Sequence, residues 1–220
     1  MQANTKNNVT QQSTGNPRTI TPKKIELLEA ARHALASRGH SNFSMRSVAR
    51  EAGIHLKTLQ HYFPNKQSLL TEVLEYTLRS YYFNQFNLMF DKRSDLGAEE
   101  KFRLLIDYVL DDLGDPFTAS FFPEIWALAS RDPDASLAMD RFYTLYRNNI
   151  EELIFELNPK LDGICLIQRA AIIAMAGEGM LLLVGHNKPK HRELKNIKNE
   201  FVNRMLDIVR APLDANCASN

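Results

Sequence analysis

The side chains best suited to chemistry are concentrated between positions 55 and 66. The segment GIHLKTLQHYFPNKQSLL, residues 53–70, contains two histidines, two lysines, a glutamine, a threonine and a tyrosine within that interval. A metal site, an active site and a surface that reads nucleic acid would each use such side chains. His55 and His61 are not at the i, i+4 spacing of two metal ligands on one helix face. Their spacing therefore disfavours the metal site.

The elements that must position these side chains are two short helices joined by a tight turn. Ser44 is a suitable N-cap for the first helix, which stops at Gly53. Ser47 stands where a capping box would have Glu or Gln, so we expect that box to be incomplete. The second helix should run from about His55 to His61. This pattern predicts a helix-turn-helix, whose second helix enters the major groove of DNA.

Apolar residues around the second short helix explain why its polar side chains would face outward. Ile54, Leu59 and Phe63 are expected to fix the helix against its neighbours. The polar and aromatic tips must then point elsewhere, and their donors and acceptors suit base edges and phosphates.

Charge is distributed unevenly along the chain, although its formal total is only +1. Residues 1–66 contain ten Lys or Arg and three Asp or Glu, whereas residues 67–220 contain 17 and 23. A basic front and an acidic rear predict that the front meets a polyanion.

The rest of the sequence has helical periodicity and no strand-like alternation. We predict an all-α protein of about nine helices, with a three-helix N-terminal helix-turn-helix domain followed by a larger bundle. Gly39 should end the first helix, the fourth helix should reach about Phe90, and the last should begin near Arg192. The predicted divisions are a disordered tail at 1–20, the DNA-binding domain at 21–68, the bundle at 69–212 and a tail at 213–220.

Three motifs at the front follow one known pattern. Ser44 opens the short helix before the turn, VAREAG at 48–53 has Ala-x-x-Ala-Gly spacing, and QHYFPNK at 60–66 ends the region. Over about residues 22–70 the chain therefore resembles the tetracycline-repressor-like (TetR) family of bacterial transcriptional regulators. Gln60 stands where that family usually has tyrosine, and His55-Leu56 replaces small or basic residues. The resemblance thus implies a docking mode but no particular operator sequence.

The resemblance also implies which residues contact double-stranded DNA. At the start of the short helix before the turn, Ser44 and Arg46 would contact phosphate. Tyr62 and Lys66 would contact the DNA backbone at the far end. The complete set of candidate DNA-binding residues is Ser44, Arg46, His55, Lys57, Thr58, Gln60, His61, Tyr62 and Lys66.

The rear of the chain is rich in aromatic residues, each of which either fills the core or lines a cavity. The resemblance implies that this bundle binds a small apolar or aromatic effector. Arg103, Arg169 and Glu178 are candidate polar anchors for it, although surface or dimer salt bridges are their expected role. The candidate pocket residues are Phe86, Phe102, Tyr108, Trp126, Phe142, Tyr143 and Met175.

The last two helices resemble a dimerisation pair. The segment ICLIQRAAIIAMAGEGMLLLVG, residues 164–185, is apolar almost all round, as expected where one face meets its own core and another a second subunit. A buried central helix in a monomer is the alternative. The candidate interface residues are Ile172, Met175, Gly179, Leu183, Phe201 and Met205.

These patterns predict a ligand-responsive regulator of transcription, with release of a repressor from a palindromic operator as the expected mode. The alternative is a DNA-binding helical protein controlled by a protein partner, without a small-molecule inducer. We expect no catalytic residues, cofactor or metal, because no nucleophile–base pair, phosphate loop or metal cluster stands in helical register. The polar N-terminal stretch lacks an apolar segment, so we expect a cytoplasmic protein without a membrane partner. The last two helices predict that it is a homodimer.

Overall fold

A computed structural model describes residues 20–83 and 95–212. A π-helical turn, Leu78–Phe83, continues the fourth helix, and a 3-10 turn, Arg192–Leu194, precedes the last. The all-α prediction is confirmed, since the described residues form helices and no strand. The helices are α1 (Pro22–Asn42), α2 (Met45–Glu51), α3 (Leu56–Tyr62), α4 (Lys66–Thr77), α5 (Ala98–Asp112), α6 (Pro116–Ala129), α7 (Pro133–Leu157), α8 (Gly163–Val184) and α9 (Ile197–Arg210).

Some predicted boundaries differ from the observed ones. Gly39 does not end α1 but forms a kink with φ 71°, and the helix resumes to Asn42. The final helix begins at Ile197, because a separate 3-10 turn occupies the expected start at Arg192. Phe86 and Phe90 fall outside the described residues, and so do both predicted tails except for Ile20.

Side-chain caps explain where the bundle helices begin. Asp115 accepts hydrogen bonds from the backbone N–H groups of Phe117 and Thr118, at 2.7 and 2.9 Å. Asp132 accepts from the N–H of Ala135 at 2.9 Å. Each cap satisfies a donor that the first turn of a helix leaves without an intrahelical partner, and contributes about 1 kcal/mol.

One continuous apolar core joins the front of the molecule to the rear. Helix α1 packs against α2, α4 and α6, while α7 packs against α4, α5, α6 and α8. Leu27 and Leu35 of α1 are fully buried, as are Leu105 of α5 and Ile150 of α7. The N-terminal unit of α1, α2 and α3, called the head below, is therefore seated directly on the bundle through α1.

Helix α8 is the one described helix that is long and apolar enough to cross a membrane by length and composition alone. Core helices of soluble proteins meet the same criterion, and Ile173, Ala174 and Leu181 of α8 are buried in the bundle. Arg169 does not form the expected salt bridge. Its guanidinium is buried and donates to the carbonyl oxygens of Ile208, Ala211 and Pro212 at 2.6–2.9 Å, which caps the end of α9.

Candidate DNA-binding surface and effector cavity

Helix α2 begins at a reciprocal pair of serines. The Ser44 hydroxyl accepts from the backbone N–H of Ser47 at 3.1 Å, and the Ser47 hydroxyl accepts from the N–H of Ser44 at 2.9 Å. The expectation of an incomplete capping box was wrong, because a serine side chain reaches back as a glutamate would. The start of α2 is thereby fixed with Arg46 exposed beside it.

The turn between α2 and α3 depends on Gly53. Its φ is 64°, in the left-handed region where a β-carbon is unfavourable. The next residue, Ile54, returns its N–H to the carbonyl oxygen of Ala49 at 3.0 Å. This hydrogen bond sets the direction in which α3 leaves the turn.

Helix α3 has a buried underside and an exposed outer face. Leu59 and Phe63 are completely buried, and Ile54 and Leu56 are half-buried. Because these residues fix the helix to the head, the intervening side chains lie on the surface. The exposed candidate residues are Ser44, Arg46, His55, Lys57, Thr58, Gln60 and His61.

The remaining two candidates lie at the rim of this surface. Tyr62 and Lys66 are half-buried. The Tyr62 ring meets the His61 ring edge-on, with centroids 5.5 Å apart, and the Lys66 ammonium lies 6.0 Å from the centre of the Phe43 ring. None of the nine predicted residues is buried, so their side chains can present hydrogen-bonding groups and positive charge to DNA.

Two contacts connect the head to α6. The Glu124 carboxylate accepts from the backbone N–H of His40 at 2.8 Å, beside the kink in α1. A β-carbon on Gly39 would come within 3.0 Å of that carboxylate, so glycine permits the close approach. The Arg32 guanidinium stacks 4.0 Å from the centre of the Phe117 ring. These contacts hold α6 against α1 beside the kink at Gly39.

A cavity of about 30 Å³ lies between α5, α6, α7 and α8. That volume admits one or two water molecules. Four aromatic residues and two carboxylic acids contribute to its walls. The complete lining consists of Tyr108, Val109, Asp112, Leu113, Thr118, Phe122, Phe142, Tyr146, Glu178 and Leu181.

The two acids of the cavity have strongly perturbed proton affinities. Burial raises the pKa of Asp112 to about 6, although the Thr118 hydroxyl, which donates to it at 2.9 Å, opposes the increase. Burial raises the pKa of Glu178 to about 7, with Tyr143 opposing the increase and Asp112 adding to it. Desolvation disfavours the charged form of each acid. The expected salt bridge of Glu178 is not found among the described residues.

Trp126 and Tyr143 form a polar pair beside the cavity. The indole Nε1–H of Trp126 donates to the Tyr143 hydroxyl at 2.8 Å. Burial raises the pKa of Tyr143 well above its ordinary value, and the negative charge of Glu178 adds to the increase. The pair therefore connects α6 and α7 at the edge of the cavity, next to Glu178.

The structure separates the predicted pocket residues into groups. Tyr108 and Phe142 line the cavity, with Trp126 and Tyr143 beside it. The assignment of Phe102 to the pocket was wrong, since this residue is completely buried in the core and does not line the cavity. The assignment of Met175 to the pocket was also wrong, because 65 % of this residue is exposed on the outside of α8. Phe86 lies outside the described residues.

Sequence reasoning missed several of the residues that define this cavity. Asp112, Thr118, Phe122 and Tyr146 were not selected, and Glu178 was named as a candidate polar anchor although a salt bridge was its expected role. Spacing contained part of the signal, because Tyr108 and Asp112 are four residues apart on one helix, and Glu178 is the one acid within α8.

Helix α8 also carries an apolar stripe on its outer face. Ile172, Met175 and Leu183 expose 46, 65 and 58 % of their surface, and Gly179 faces open space. Their positions recur every three or four residues and so lie on one side of the helix. Phe201 is half-buried. The assignment of Met205 to the dimer interface was wrong, because this residue is buried in the core of its own chain.

Known proteins resemble both the head and the whole chain. Residues 27–73 match the model for the family described as bacterial regulatory proteins, tetR family. The HTH-type transcriptional regulator BetI of Agrobacterium fabrum is 25 % identical over 156 residues, which cover 69 % of this chain and 72 % of that protein.

Solved structures share the fold at lower identity. A putative transcriptional regulator from Saccharomonospora viridis in complex with choline is 18 % identical, with a TM-score of 0.65 and coverage of 84 % of this chain and 94 % of that one. The transcriptional regulator FadR from Bacillus subtilis in complex with stearoyl-CoA is 15 % identical, with a TM-score of 0.59 and coverage of 84 % and 95 %.

Proposed function

The chain belongs to the TetR family of bacterial transcriptional regulators, and on this premise we propose that it is a cytoplasmic, homodimeric repressor released from a palindromic operator by a small molecule. The observation that carries the proposal is the outer face of α3, where polar side chains stand exposed above a completely buried Leu59 and Phe63. We assign residues 21–68 to DNA binding and residues 69–212 to effector binding and dimerisation.

The DNA contacts divide into two kinds. Lys57, Thr58, Gln60 and His61 are assigned to the major groove, where Gln60 can pair bidentately with adenine. Phosphate contacts fall to Ser44 and Arg46 at one end and to Tyr62 and Lys66 at the other, with His55 at the start of α3. Phosphate contacts position the protein, whereas base contacts give sequence specificity.

Dimerisation is assigned to the exposed stripe of α8, together with Phe201. Contiguous exposed apolar residues are typical of protein–protein interfaces. Two heads related by a twofold axis would read the two halves of a palindrome, which a single head binds only weakly.

Control by a small molecule is supported by the cavity and by the relatives. One structural neighbour holds choline and another holds stearoyl-CoA. In this chain Phe122 lines the cavity, and Glu124, two residues further along α6, contacts the head at His40. An effector that binds better when α6 is displaced would shift the dimer towards a state that cannot span both half-sites.

A mobility-shift titration with DNA from upstream of the protein's own gene tests DNA binding. We expect a specific complex at low salt, which Lys57→Ala and Gln60→Ala should weaken. Leu183→Asp should abolish both dimerisation and the complex, as measured by analytical ultracentrifugation. Absence of a complex with folded wild-type dimer would contradict the proposal.

The small volume of the cavity favours a second candidate, a regulator whose bundle responds to a protein partner. A ligand that binds only the folded state raises the melting temperature of the protein. If a protein partner controls the bundle, no small molecule should cause such an increase. A thermal-shift screen therefore separates the two candidates.

A further inference from the structure

We infer that the cavity between α5, α6, α7 and α8 is a site for a small organic cation, with an ammonium head held by Asp112 and Glu178 and surrounded by aromatic rings. The inference deepens the proposed function by naming the chemical class of the effector. Only the effect of cation binding on operator affinity rests on the proposed function, and the cation site itself does not.

Charge is the first argument for a cation. Asp112 and Glu178 come from different helices, α5 and α8, and both contribute to the same cavity wall. The lining contains no Lys, Arg or His, and neither acid forms an ion pair within the described parts of the chain. A buried carboxylate without a counter-charge is unfavourable, and a cationic ligand would supply that charge.

The aromatic walls are the second argument. Tyr108, Phe122, Phe142 and Tyr146 line the cavity, and the Phe142 ring stacks on Tyr146 with centroids 6.3 Å apart. Faces of aromatic rings attract cations, and a quaternary ammonium, which cannot donate a hydrogen bond, is recognised mainly in this way. Carboxylates alone would also suit a metal ion, but no group of three metal-ligating side chains occurs among the described residues.

Other ligand classes fit the walls less well. An anion would be repelled by the two carboxylates, and a purely apolar ligand would leave their negative charge without a counter-charge. A long acyl chain exceeds the cavity volume of about 30 Å³ by much more than a compact ammonium does, so it would require a larger displacement of the walls.

An organic cation also exceeds that volume, so its binding requires the walls to separate. Phe122 is the wall residue on α6, the helix that contacts the head through Glu124. Cation binding would therefore favour a conformation with a displaced α6. This connection supplies the differential affinity that effector control requires.

The test measures binding to the full-length protein by calorimetry and thermal shift at pH 8. The probes are tetramethylammonium and benzyltrimethylammonium chloride, with sodium chloride at equal ionic strength as the salt control. Neopentyl alcohol serves as an uncharged match for the shape of tetramethylammonium. We expect saturable binding and a raised melting temperature with at least one cation, and neither effect with the alcohol.

Two variants and a matched control identify the site. Asp112→Asn and Glu178→Gln should abolish saturable cation binding, while Asp107→Asn, on the exposed face of α5, should bind as wild type does. Because the two substitutions remove a buried carboxylate, both variants should fold, with melting temperatures at pH 8 equal to or above that of wild type. Cation affinity should also fall at least about tenfold from pH 8 to pH 5, since protonation removes the negative charges.

The outcomes separate this inference from the proposed function. The cation site is wrong if neither cation binds saturably, if the alcohol binds equally well, or if both carboxylate variants bind as wild type does. A mobility shift by the ligand-free protein would still support DNA binding in those cases. Saturable binding without any change in operator affinity would leave the site intact and contradict its role in regulation.

Discussion

At the DNA-binding head, polar side chains stand on the surface above an apolar underside, whereas in the bundle two half-buried acids line an aromatic cavity. Gln60 and His61 are exposed, and Leu59 between Thr58 and Gln60 is completely buried. In the bundle the arrangement is inverted, because Asp112 and Glu178 are half-buried beside aromatic rings. Function at the head should therefore be separable from stability, while function and stability in the bundle oppose each other.

The largest expected effect sharpens this comparison at the head. Leu59→Ala should lower the free energy of unfolding by about 2–5 kcal/mol, because it removes a completely buried side chain and leaves a cavity. Chemical denaturation measures the loss. Thr58→Ala, one residue away on the exposed face, should stay within about 0.5 kcal/mol of wild type. Equal losses in both variants would contradict the division of α3 into two faces.

The second prediction concerns pH and the bundle. Burial raises the pKa of Glu178 to about 7 and that of Asp112 to about 6, so the folded protein holds these protons more tightly than the unfolded chain. Their contribution to stability is therefore greatest below about pH 4 and decreases as the pH rises towards 7. Each pKa unit corresponds to about 1.4 kcal/mol. Denaturation curves at pH 5, 6, 7 and 8 measure the slope.

Glu178→Gln is the control for that slope. The lowered pKa of His40, which burial and Lys66 cause, makes stability increase with pH, but this effect is common to both proteins. The difference between wild type and variant therefore isolates Glu178. Parallel pH profiles would show that the glutamate is solvated in the folded state.

The third prediction separates DNA binding from stability. Gln60→Ala should weaken operator affinity by about 1–3 kcal/mol, the value of a bidentate contact to adenine, with little change in unfolding. Fluorescence anisotropy at several salt concentrations measures it. Lys66→Ala should instead weaken binding to all DNA sequences and reduce the salt slope by about one. A Gln60→Ala variant with unchanged operator affinity would remove that residue from the base contacts.

The smallest expected effect lies at the junction between the two regions. Glu124→Ala removes the acceptor of the His40 N–H, and should reduce the coupling between effector and operator by about 0.5–2 kcal/mol. Operator affinity with and without effector gives this coupling. Glu124→Gln, which keeps a carbonyl acceptor, should retain most of it. Full coupling in the alanine variant would show that α6 does not connect cavity and head through this bond.

The structure of the head could be predicted from the sequence because the residues that determine it are close together in the chain. Capping at Ser44, the left-handed turn at Gly53 and the apolar spacing of Leu59 and Phe63 all act within a few residues. Even there, sequence reasoning missed the reciprocal bond of Ser47, because it tested only for Glu or Gln.

The structure of the bundle could be predicted much less completely from the sequence. Its helical class was predicted correctly, since periodicity and capping are local, as the side-chain caps Asp115 and Asp132 illustrate. Whether an aromatic residue lines a cavity or fills the core depends on neighbours from other helices. Phe102 and Met175 were therefore assigned wrongly to the pocket, although the segments that contain them are helical as predicted.

The sequence by itself determined the helical class, the helix-turn-helix and the outward face of its second helix, because periodicity, caps and turns are properties of short segments. Only the tertiary structure decided that Asp112 and Glu178 share one cavity and that α6 connects it to the head. The positions of these residues relative to each other follow from how α5, α6, α7 and α8 pack. Helix packing depends on side-chain contacts between segments that are distant in the chain.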